Sequence, residues 1–269
     1  MVGAGHDVAV VVTRADARRS RRAAPSPSPV KAAAESLGLV VSHDIGDVVG
    51  VGAGLGVVVA YGRIIRPPVL GSLPLVNVHF SLLPRWRGAA PVERAVLAGD
   101  PVTGVCLMEL EAGLDTGPVY RRAETAIGAE ETAAALAARL ADLGAGLLTD
   151  ALAAGLGEAK QQTGDATYAA KLEPADLALG WDRPAVELAR VVRVGRAWTT
   201  WRGKRLLVWA ARPVEAVVGG EPGTVHETTV ATGAGSLRLV RVQPEGRAEL
   251  DAGDWARGAR PAPGERLGS

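Results

Sequence analysis

The fold is decided by residues 77–91, which read NVHFSLLPRWRGAAP and join the end of an apolar strand to a loop rich in proline, arginine and glycine. Asn77 is the only asparagine of the chain, and His79 lies two residues further on. Side chains two residues apart on a strand point to the same face, so these two side chains share one. Asp115 follows later, in a tight LDTG turn. An amide, an imidazole and a carboxylate are the groups with which proteins transfer protons and stabilise an oxyanion.

The composition predicts an ordinary globular protein of one large or two medium domains. The 269 residues carry a net charge of +1, and 48% of them are hydrophobic. This balance gives no overall basic field, so any nucleic-acid binding must depend on a local patch. The lone Cys106 excludes an internal disulfide and a cysteine-cluster metal site, and we expect no metal. The chain has no run of 18 apolar residues and no signal-peptide pattern, so we expect a soluble, cytoplasmic monomer.

The first 160 residues alternate strand-like and helix-like segments, which predicts an α/β domain with a mostly parallel, Rossmann-like sheet. The predicted strands are Asp7–Thr13, Leu39–Val41, Leu55–Ala60, Leu75–His79, Gly104–Leu110 and Val119–Thr125. The predicted helices are Pro29–Leu37, Val92–Ala98 and Glu130–Ala153, and Arg14–Ser28 reads as a polar loop. Ligands of such sheets bind beyond the carboxyl ends of the strands, which is where His79 falls.

The character of the sequence changes near residue 160. Residues 161–176 have mixed polarity and read as a linker, and Ala185–Val194 as a short helix. Short alternating segments with turn signals follow, which predict a small antiparallel β-barrel. The predicted domains are therefore 1–160, a linker at 161–176, and a barrel at 177–269.

The N-terminus is unusual for an α/β domain. The segment MVGAGH resembles the end of a helix with Gly5 as its C-cap, and the strand Asp7–Thr13 follows almost at once. We therefore expect that a first β–loop–α unit is missing, through truncation or a start codon placed too late.

Two further segments carry possible ligand contacts. Leu82, Leu83 and Pro84 would expose apolar groups unless something such as a flat heterocyclic ligand covers them, and Arg85 and Arg87 flank an aromatic residue. Residues 14–22, RADARRSRR, hold five arginines and one aspartate, a local charge of 5 − 1 = +4. This run fits a solvated loop and a contact with a phosphate backbone equally well.

Each member of the trio has an ordinary interpretation by itself. Asn77 could cap a loop, His79 could be a satisfied core residue and Asp115 could close a turn. All three are placed at neighbouring sheet ends around one unusual loop, and together they favour acyl or formyl transfer to an amine.

The segment from Asn77 to Val119 closely resembles the methionyl-tRNA formyltransferases. Asn-x-His followed by Ser-Leu-Leu-Pro and a later Leu-Asp-Thr-Gly is shared by the 10-formyltetrahydrofolate-dependent formyltransferases, while RWRGAAP is similar to the tRNA enzymes. The similarity extends through TYAAKLEPADLALGWDRPA and AWTTWRG to the C-terminus. It implies an OB-type second domain that binds tRNA, and a first domain without the family's opening strand and Phe-x-Gly-Thr loop.

The resemblance also implies roles for individual residues. The catalytic trio would be Asn77, His79 and Asp115, with 10-formyltetrahydrofolate as co-substrate and the initiator methionyl-tRNA as partner. The residues implied to contact the folate are Tyr61, Gly62, Ser81, Leu82, Leu83 and Pro84. Those expected to contact tRNA are Arg14, Arg18, Arg19, Arg21, Arg22, Arg85 and Arg87.

Three alternatives stay open at this point. A formyltransferase that acts on an amino sugar or on glycinamide ribonucleotide would share the trio. An inactive RNA-binding remnant would fit a chain that lacks its first unit. A hydrolase that releases formate could use the same groups.

Overall fold

The computed structural model describes residues 1–18, 24–215 and 218–268, which form two compact units. The first unit comprises Met1–Arg87, Gly104–Glu124 and Ala141–Thr167, and the second comprises Gly88–Thr103, Thr125–Leu140 and Tyr168–Ser269. The boundaries 1–160, 161–176 and 177–269 stay a prediction.

The chain up to residue 169 alternates short strands with helices. The strands are β1 (Val11–Val12), β2 (Ala17–Arg18), β3 (Pro25–Ser26), β4 (Val41–Ser42), β5 (Gly56–Val59), β6 (Leu75–His79), β7 (Arg87–Gly88), β8 (Val102–Glu109), β9 (Val119–Ala126) and β10 (Tyr168–Ala169). The helices are α1 (Pro29–Ser36), α2 (Pro67–Leu70), α3 (Pro91–Ala98) and α4 (Ala133–Ala154). One sheet has the order β5-β6-β8-β9, with β5 parallel and β8 antiparallel to β6, while β1 and β4 form a separate parallel pair.

Strand β6 is the centre of this sheet. All five of its residues are buried, because β5 and β8 cover both edges and apolar side chains cover both faces. Helix α4 supplies one of these covers: a Cβ added at Gly144 would lie 2.9 Å from Val78 Cγ1 and 3.3 Å from Val105 Cγ1. Glycine at this position therefore lets the helix approach the strand that carries Asn77 and His79.

The strands of this sheet lie within two residues of their predicted bounds, whereas the prediction of a strand over Asp7–Thr13 is wrong in length. Only Val11–Val12 pair in a ladder, and both residues are half-buried. Residues 7–10 instead line a mostly apolar cavity of about 460 Å³ whose wall includes β5. A strand extends only as far as its partner, and β4 pairs with two residues of β1.

The structure also tests the predictions for the described part of the first 28 residues. Val2–Ala4 form one turn of 3₁₀-helix that ends at Gly5, whose φ is 82° and whose N–H donates to Val2 O at 2.9 Å, as the C-cap prediction requires. The prediction of a polar loop over 14–28 is only partly right, because β2 and β3 pair as a short antiparallel ladder. The expected loss of a preceding β–loop–α unit stays a prediction.

The second unit contains the predicted small antiparallel β domain. Its further elements are α5 (Ala185–Val194), β11 (Ala197–Trp201), β12 (Lys204–Val214), β13 (Val225–His226), β14 (Thr229–Ala231), β15 (Ser236–Pro244), β16 (Leu250–Asp251) and α6 (Ala252–Ala259). The strands follow the order β11-β12-β15-β14-β13, and β16 pairs with β15. Their core contains Leu188, Val208, Leu237 and the edge-to-face pair Trp201–Trp255. The predicted class, an α/β domain followed by a small β domain, is confirmed.

No helix among the described residues is long and apolar enough to cross a membrane.

Candidate active site

Strand β6 places two polar side chains in the middle of a hydrophobic sheet. Asn77 and His79 are only 9% and 5% exposed, and the register sets Asn77 beside Met108 and His79 beside Cys106. Burying a polar group costs free energy unless a partner satisfies it, so each of these side chains requires a physical explanation.

His79 is held between two hydrogen-bond acceptors. Its Nε2 lies 2.9 Å from the carbonyl oxygen of Trp86, and its Nδ1 lies 3.6 Å from Asp115 Oδ2. A carbonyl oxygen can only accept, so Nε2 carries a hydrogen. The distance to Asp115 exceeds a normal hydrogen bond, which leaves room for a small closure or for exchange of a proton through water. Nδ1 is therefore the ring nitrogen that faces the Asp115 carboxylate.

The side-chain amide of Asn77 differs from the His79 ring in its hydrogen bonding. Among the described residues, no hydrogen-bond partner is found for its side-chain amide, although the residue is buried. The amide atoms are not among the fully buried polar atoms that lack a partner in the described part of the chain, so they reach the solvent and water can satisfy them in the free protein. Its two N–H groups can donate to a substrate oxygen without first breaking a bond within the protein.

Asp115 and Trp86 both adopt a left-handed backbone conformation. Their φ angles are 50° and 63°, and residues other than glycine rarely take such values. For a bulky residue such as Trp86 the conformation costs about 1–3 kcal/mol, and such costs concentrate at functional sites. From this backbone conformation Trp86 presents its carbonyl to His79 and Asp115 presents its carboxylate, which is 12% exposed.

The SLLP segment differs from its expected environment. The expectation that Leu82, Leu83 and Pro84 expose apolar groups unless a ligand covers them is wrong for Leu83, which is 1% exposed. Leu83 packs against Cys106, Met108 and Val119, beneath the sheet's own side chains, whereas Leu82 and Pro84 are half-buried. The protein itself therefore covers the central residue.

Ser81 is also directed into the protein. It is 0% exposed, and its hydroxyl donates to the carbonyl oxygen of Arg85 at 2.6 Å. This bond and the one from Arg85 N–H to Leu82 O, at 3.1 Å, close the loop into a compact turn.

The two other residues implied to contact folate follow β5. Tyr61 is half-buried and packs against the cluster of Ile65, Val69 and Leu75, and it also lines the 460 Å³ cavity. Gly62 is exposed and has a φ of 70°, which glycine adopts without strain.

The predicted tRNA contacts lie in two places. Arg14 and Arg18 are exposed at the β2–β3 ladder, while Arg19, Arg21 and Arg22 lie outside the described residues. The single acid of this run, Asp16, pairs with Lys31 at 2.7 Å, which leaves its charge already compensated.

The second place is the loop after β6. Arg85 is exposed and its guanidinium lies 4.5 Å from the centre of the Trp86 ring, a cation–π arrangement. Arg87 is half-buried, and its Nε and Nη2 donate to Gln162 Oε1 at 3.0 Å and 2.7 Å.

Sequence reasoning missed Gln162 and Thr167, which both lie beside this loop. Thr167 Oγ1 accepts from Trp86 N–H at 2.9 Å, and Gln162 Nε2 donates to Asp115 O at 2.8 Å. Both residues belong to a polar stretch that reads as a linker, and local sequence carries no signal that it returns to the site.

Cys106, beside His79 in the register, is a core residue. Burial raises the pKa of its thiol, and the Leu83 backbone and the Arg122 charge only partly oppose this shift. A buried thiol with a raised pKa is a poor nucleophile. Within the described ranges no group of three or more histidine, cysteine, aspartate or glutamate residues could hold a metal ion.

Comparison with known proteins finds formyl transferase matches in both halves of the chain. Residues 3–152 match the Formyl transferase family and residues 171–260 match the family's C-terminal domain. The methionyl-tRNA formyltransferase of Dinoroseobacter shibae is 45% identical over 96% of this chain and 91% of that protein. That of Jannaschia sp. is 41% identical over 99% of this chain and 94% of that protein.

Solved structures share the fold at low sequence identity. An N-formyltransferase from Helicobacter canadensis, in complex with folinic acid and dTDP-3-aminofucose, has a TM-score of 0.64 at 14% identity and covers 84% of this chain and 87% of its own. HypX from Aquifex aeolicus, in complex with tetrahydrofolic acid, has a TM-score of 0.62 at 16% identity over 82% of this chain and 43% of its own. From the match over residues 3–152 and the close relatives, this chain belongs to the formyl transferase family.

Proposed function

We propose that the protein transfers a formyl group from 10-formyltetrahydrofolate to the α-amino group of methionyl-tRNA, the initiator in particular. The observation that carries this proposal is the 41–45% identity to methionyl-tRNA formyltransferases over nearly the whole chain. The match includes the C-terminal domain, so the likeness is not limited to the groups that all formyltransferases share.

The reaction exchanges one carbon–nitrogen bond for another. The neutral α-amino group adds to the formyl carbon, a C–N bond forms, and the π electrons of the formyl group move to its oxygen. The electrons then return, the bond from the formyl carbon to N10 of the folate breaks, N10 takes up a proton and the former amine releases one. An aminoacyl ester has a weakly basic amine, so stabilising the oxyanion and positioning two large substrates are the main demands.

The unpaired amide of Asn77 supports its role as donor to the oxyanion. A donor that is already placed where charge develops needs no reorganisation during the reaction. His79 is the second proposed donor, through the Nε2–H that it now directs to Trp86 O. Asp115 orients the ring from the Nδ1 side and passes the amine proton to water.

We propose that the folate lies against the loop at residues 81–84 and beside Tyr61 and Gly62. In this loop Leu82 and Pro84 are the half-buried side chains, whereas Ser81 and Leu83 are directed inward. The contribution of Ser81 and Leu83 is then to hold the shape of the loop, and the half-buried side chains make the direct apolar contact.

Two groups of arginines, of which Arg14, Arg18 and Arg85 are exposed and Arg87 is half-buried, support contact with the tRNA backbone. Arg14 and Arg18, with Arg19, Arg21 and Arg22 beside them in sequence, form one proposed patch, and Arg85 with Arg87 the other. Each phosphate contact adds close to one unit to the salt dependence of binding. Replacing Arg14 and Arg18 together should reduce the slope of log affinity against log salt by about two; an unchanged slope would remove this patch from the interface.

We further propose that the protein acts as a monomer in the cytoplasm. The chain has no long apolar segment, and translation initiation takes place there. The proposed division into 1–160, 161–176 and 177–269 predicts a first cut of limited proteolysis at residues 163–165, the exposed part of the middle segment between Gln162 and Thr167.

The function is tested by incubating the purified full chain with 10-formyltetrahydrofolate and one acceptor at a time. Formyl incorporation into methionyl-tRNA, and not into free methionine or deacylated tRNA, supports the proposal. Preferred incorporation into an amino-sugar nucleotide or glycinamide ribonucleotide contradicts the substrate assignment. Tight tRNA binding without transfer indicates the RNA-binding remnant, and formate release without an acceptor indicates a hydrolase.

A further inference from the structure

The side-chain amide of Gln162 makes four hydrogen bonds near the candidate active site. The residue is half-buried, in the segment between α4 and β10. Its Oε1 accepts from Arg87 Nε at 3.0 Å and Nη2 at 2.7 Å, and its Nε2 donates to Asp115 O and Gly117 O, both at 2.8 Å. A side-chain amide has two donor hydrogens and two acceptor lone pairs, and all four are used.

The backbone around Gln162 follows the same two loops. Thr167 N–H donates to Pro84 O at 3.2 Å and Thr167 O accepts from Arg87 N–H at 2.9 Å, while Lys160 and Val119 exchange a pair of bonds at 2.8 Å and 2.9 Å. The segment 160–167 therefore joins the loop after β6 to the turn around Asp115, and Gln162 is its central link.

These two loops supply both acceptors that face His79. The Trp86 carbonyl lies against Nε2, and the Asp115 carboxylate lies 3.6 Å from Nδ1. Neither Trp86 nor Asp115 has an ordinary backbone conformation, so each depends on its surroundings to keep its φ positive. Movement of either loop would change the position of an acceptor relative to the imidazole.

We propose that Gln162 is a positioning residue that holds the Trp86–Arg87 loop and the Asp115 turn in the register that orients His79. It acts through Asp115 and Trp86 and does not itself touch the reacting atoms. The assignment of a catalytic role to His79 and Asp115 rests on the proposed function, whereas the joining of the two loops rests on the hydrogen bonds alone.

Two substitutions of Gln162 distinguish the contacts of its amide oxygen from those of its amide nitrogen. Gln162→Leu removes all four contacts at nearly unchanged volume. Gln162→Glu keeps the acceptors for Arg87 but sets carboxylate oxygens against two carbonyls, so only the Asp115 side is disrupted. Gln161→Leu is the matched control, because Gln161 is exposed and no side-chain hydrogen bond involves it in the described part of the chain.

We expect both Gln162 variants to lower kcat for formyl transfer by about 10- to 100-fold, the size expected for a misplacement near 1 Å, with KM for both substrates changed less than about threefold. Gln161→Leu should keep the wild-type kcat. In an Asp115→Asn background the Gln162→Leu change should cost less than about threefold, because residues that act through one another are not additive. A full loss in that background, or an unchanged kcat in the wild-type background, would overturn the proposal.

A second readout does not need the activity. Imidazole NMR of the full chain should show changed His79 ring shifts in Gln162→Leu and unchanged shifts in Gln161→Leu. Amide exchange over residues 113–119 should be faster only in the Gln162 variants. Unchanged ring shifts and unchanged amide exchange in Gln162→Leu would refute the positioning role. If the shifts and the exchange change but the wild-type protein does not formylate methionyl-tRNA, the proposed substrate is refuted and the positioning role stands.

Discussion

Two side-chain amides near His79 differ in nearly every respect. Asn77 lies on the central strand of the sheet, is 9% exposed, and has no hydrogen-bond partner among the described residues. Gln162 lies in an irregular segment, is half-buried, and satisfies both donors and both acceptors within the protein.

The difference indicates different roles for the same functional group. A saturated amide stabilises the arrangement of its partners, because losing it leaves several polar groups unsatisfied. An amide that reaches the solvent and has no partner within the described residues contributes little to folding and stays available to a ligand. Substitution of Asn77 should therefore affect mainly activity, whereas substitution of Gln162 should affect both stability and activity.

The largest expected effect is on catalysis at Asn77. Asn77→Ala should lower kcat by about 10²–10³, as the loss of one oxyanion donor does, while the free energy of unfolding changes by less than about 1 kcal/mol. Asn77→Asp should lose at least as much activity, because a carboxylate accepts where the amide donates. Steady-state kinetics and urea denaturation test this, and a large loss of stability with retained kcat would reverse the comparison.

The next effect concerns the hydrophobic contacts that support the loop after β6, which Gln162 joins to the Asp115 turn. Leu83 is 1% exposed and packs on Cys106, Met108 and Val119, so Leu83→Ala should lower the free energy of unfolding by about 2–5 kcal/mol. Leu82→Ala, at the half-buried neighbour, should cost less than half as much. Equal losses in urea denaturation would mean that Leu83 is not the anchor of the loop.

The two amides can be compared directly through stability. Gln162→Ala should lower the free energy of unfolding by about 1–3 kcal/mol, because the Arg87 guanidinium and two carbonyls lose their partner. Asn77→Ala should change it by less than this. If the two substitutions cost the same in parallel urea titrations, hydrogen-bond saturation does not distinguish the two regions.

A smaller, pH-dependent effect is expected at Cys106. Burial raises the pKa of its thiol above the ordinary value of about 8.5. The raised pKa gives a contribution to stability that is complete below pH 8.5 and is lost as the pH rises toward the folded-state value. The stability difference between wild type and Cys106→Ala should therefore narrow above pH 8.5, and a constant difference up to pH 10 would show that the thiol titrates normally.

Much of the fold follows from the local sequence. β6 and α5 have the bounds that the pattern predicts, because Leu75–His79 is a continuous apolar run interrupted only by Asn77 and His79, and Ala185–Val194 has a clear helical period. Polar residues at strand ends are easily recognised in a sequence, which is why the trio could be proposed, and its catalytic role stays a prediction.

The missed features depend on contacts distant in sequence. Gln162 is 47 residues from Asp115 and 75 from Arg87, and nothing near it in the chain shows that it joins them. The length of β1 depends on β4 and on the cavity beside residues 7–10. Burial of Leu83 likewise depends on β8 and β9, whose positions above the loop the local pattern does not contain.

We propose that the groups around His79 carry out formyl transfer to methionyl-tRNA. Single-turnover formylation of methionyl-tRNA by wild-type and His79→Ala protein tests this proposal. Protection of the buried Cys106 from a thiol reagent shows that both proteins are folded. We expect transfer by the wild type and a rate at least about 10²-fold lower in the variant. Near-normal transfer by a folded His79→Ala protein would contradict it.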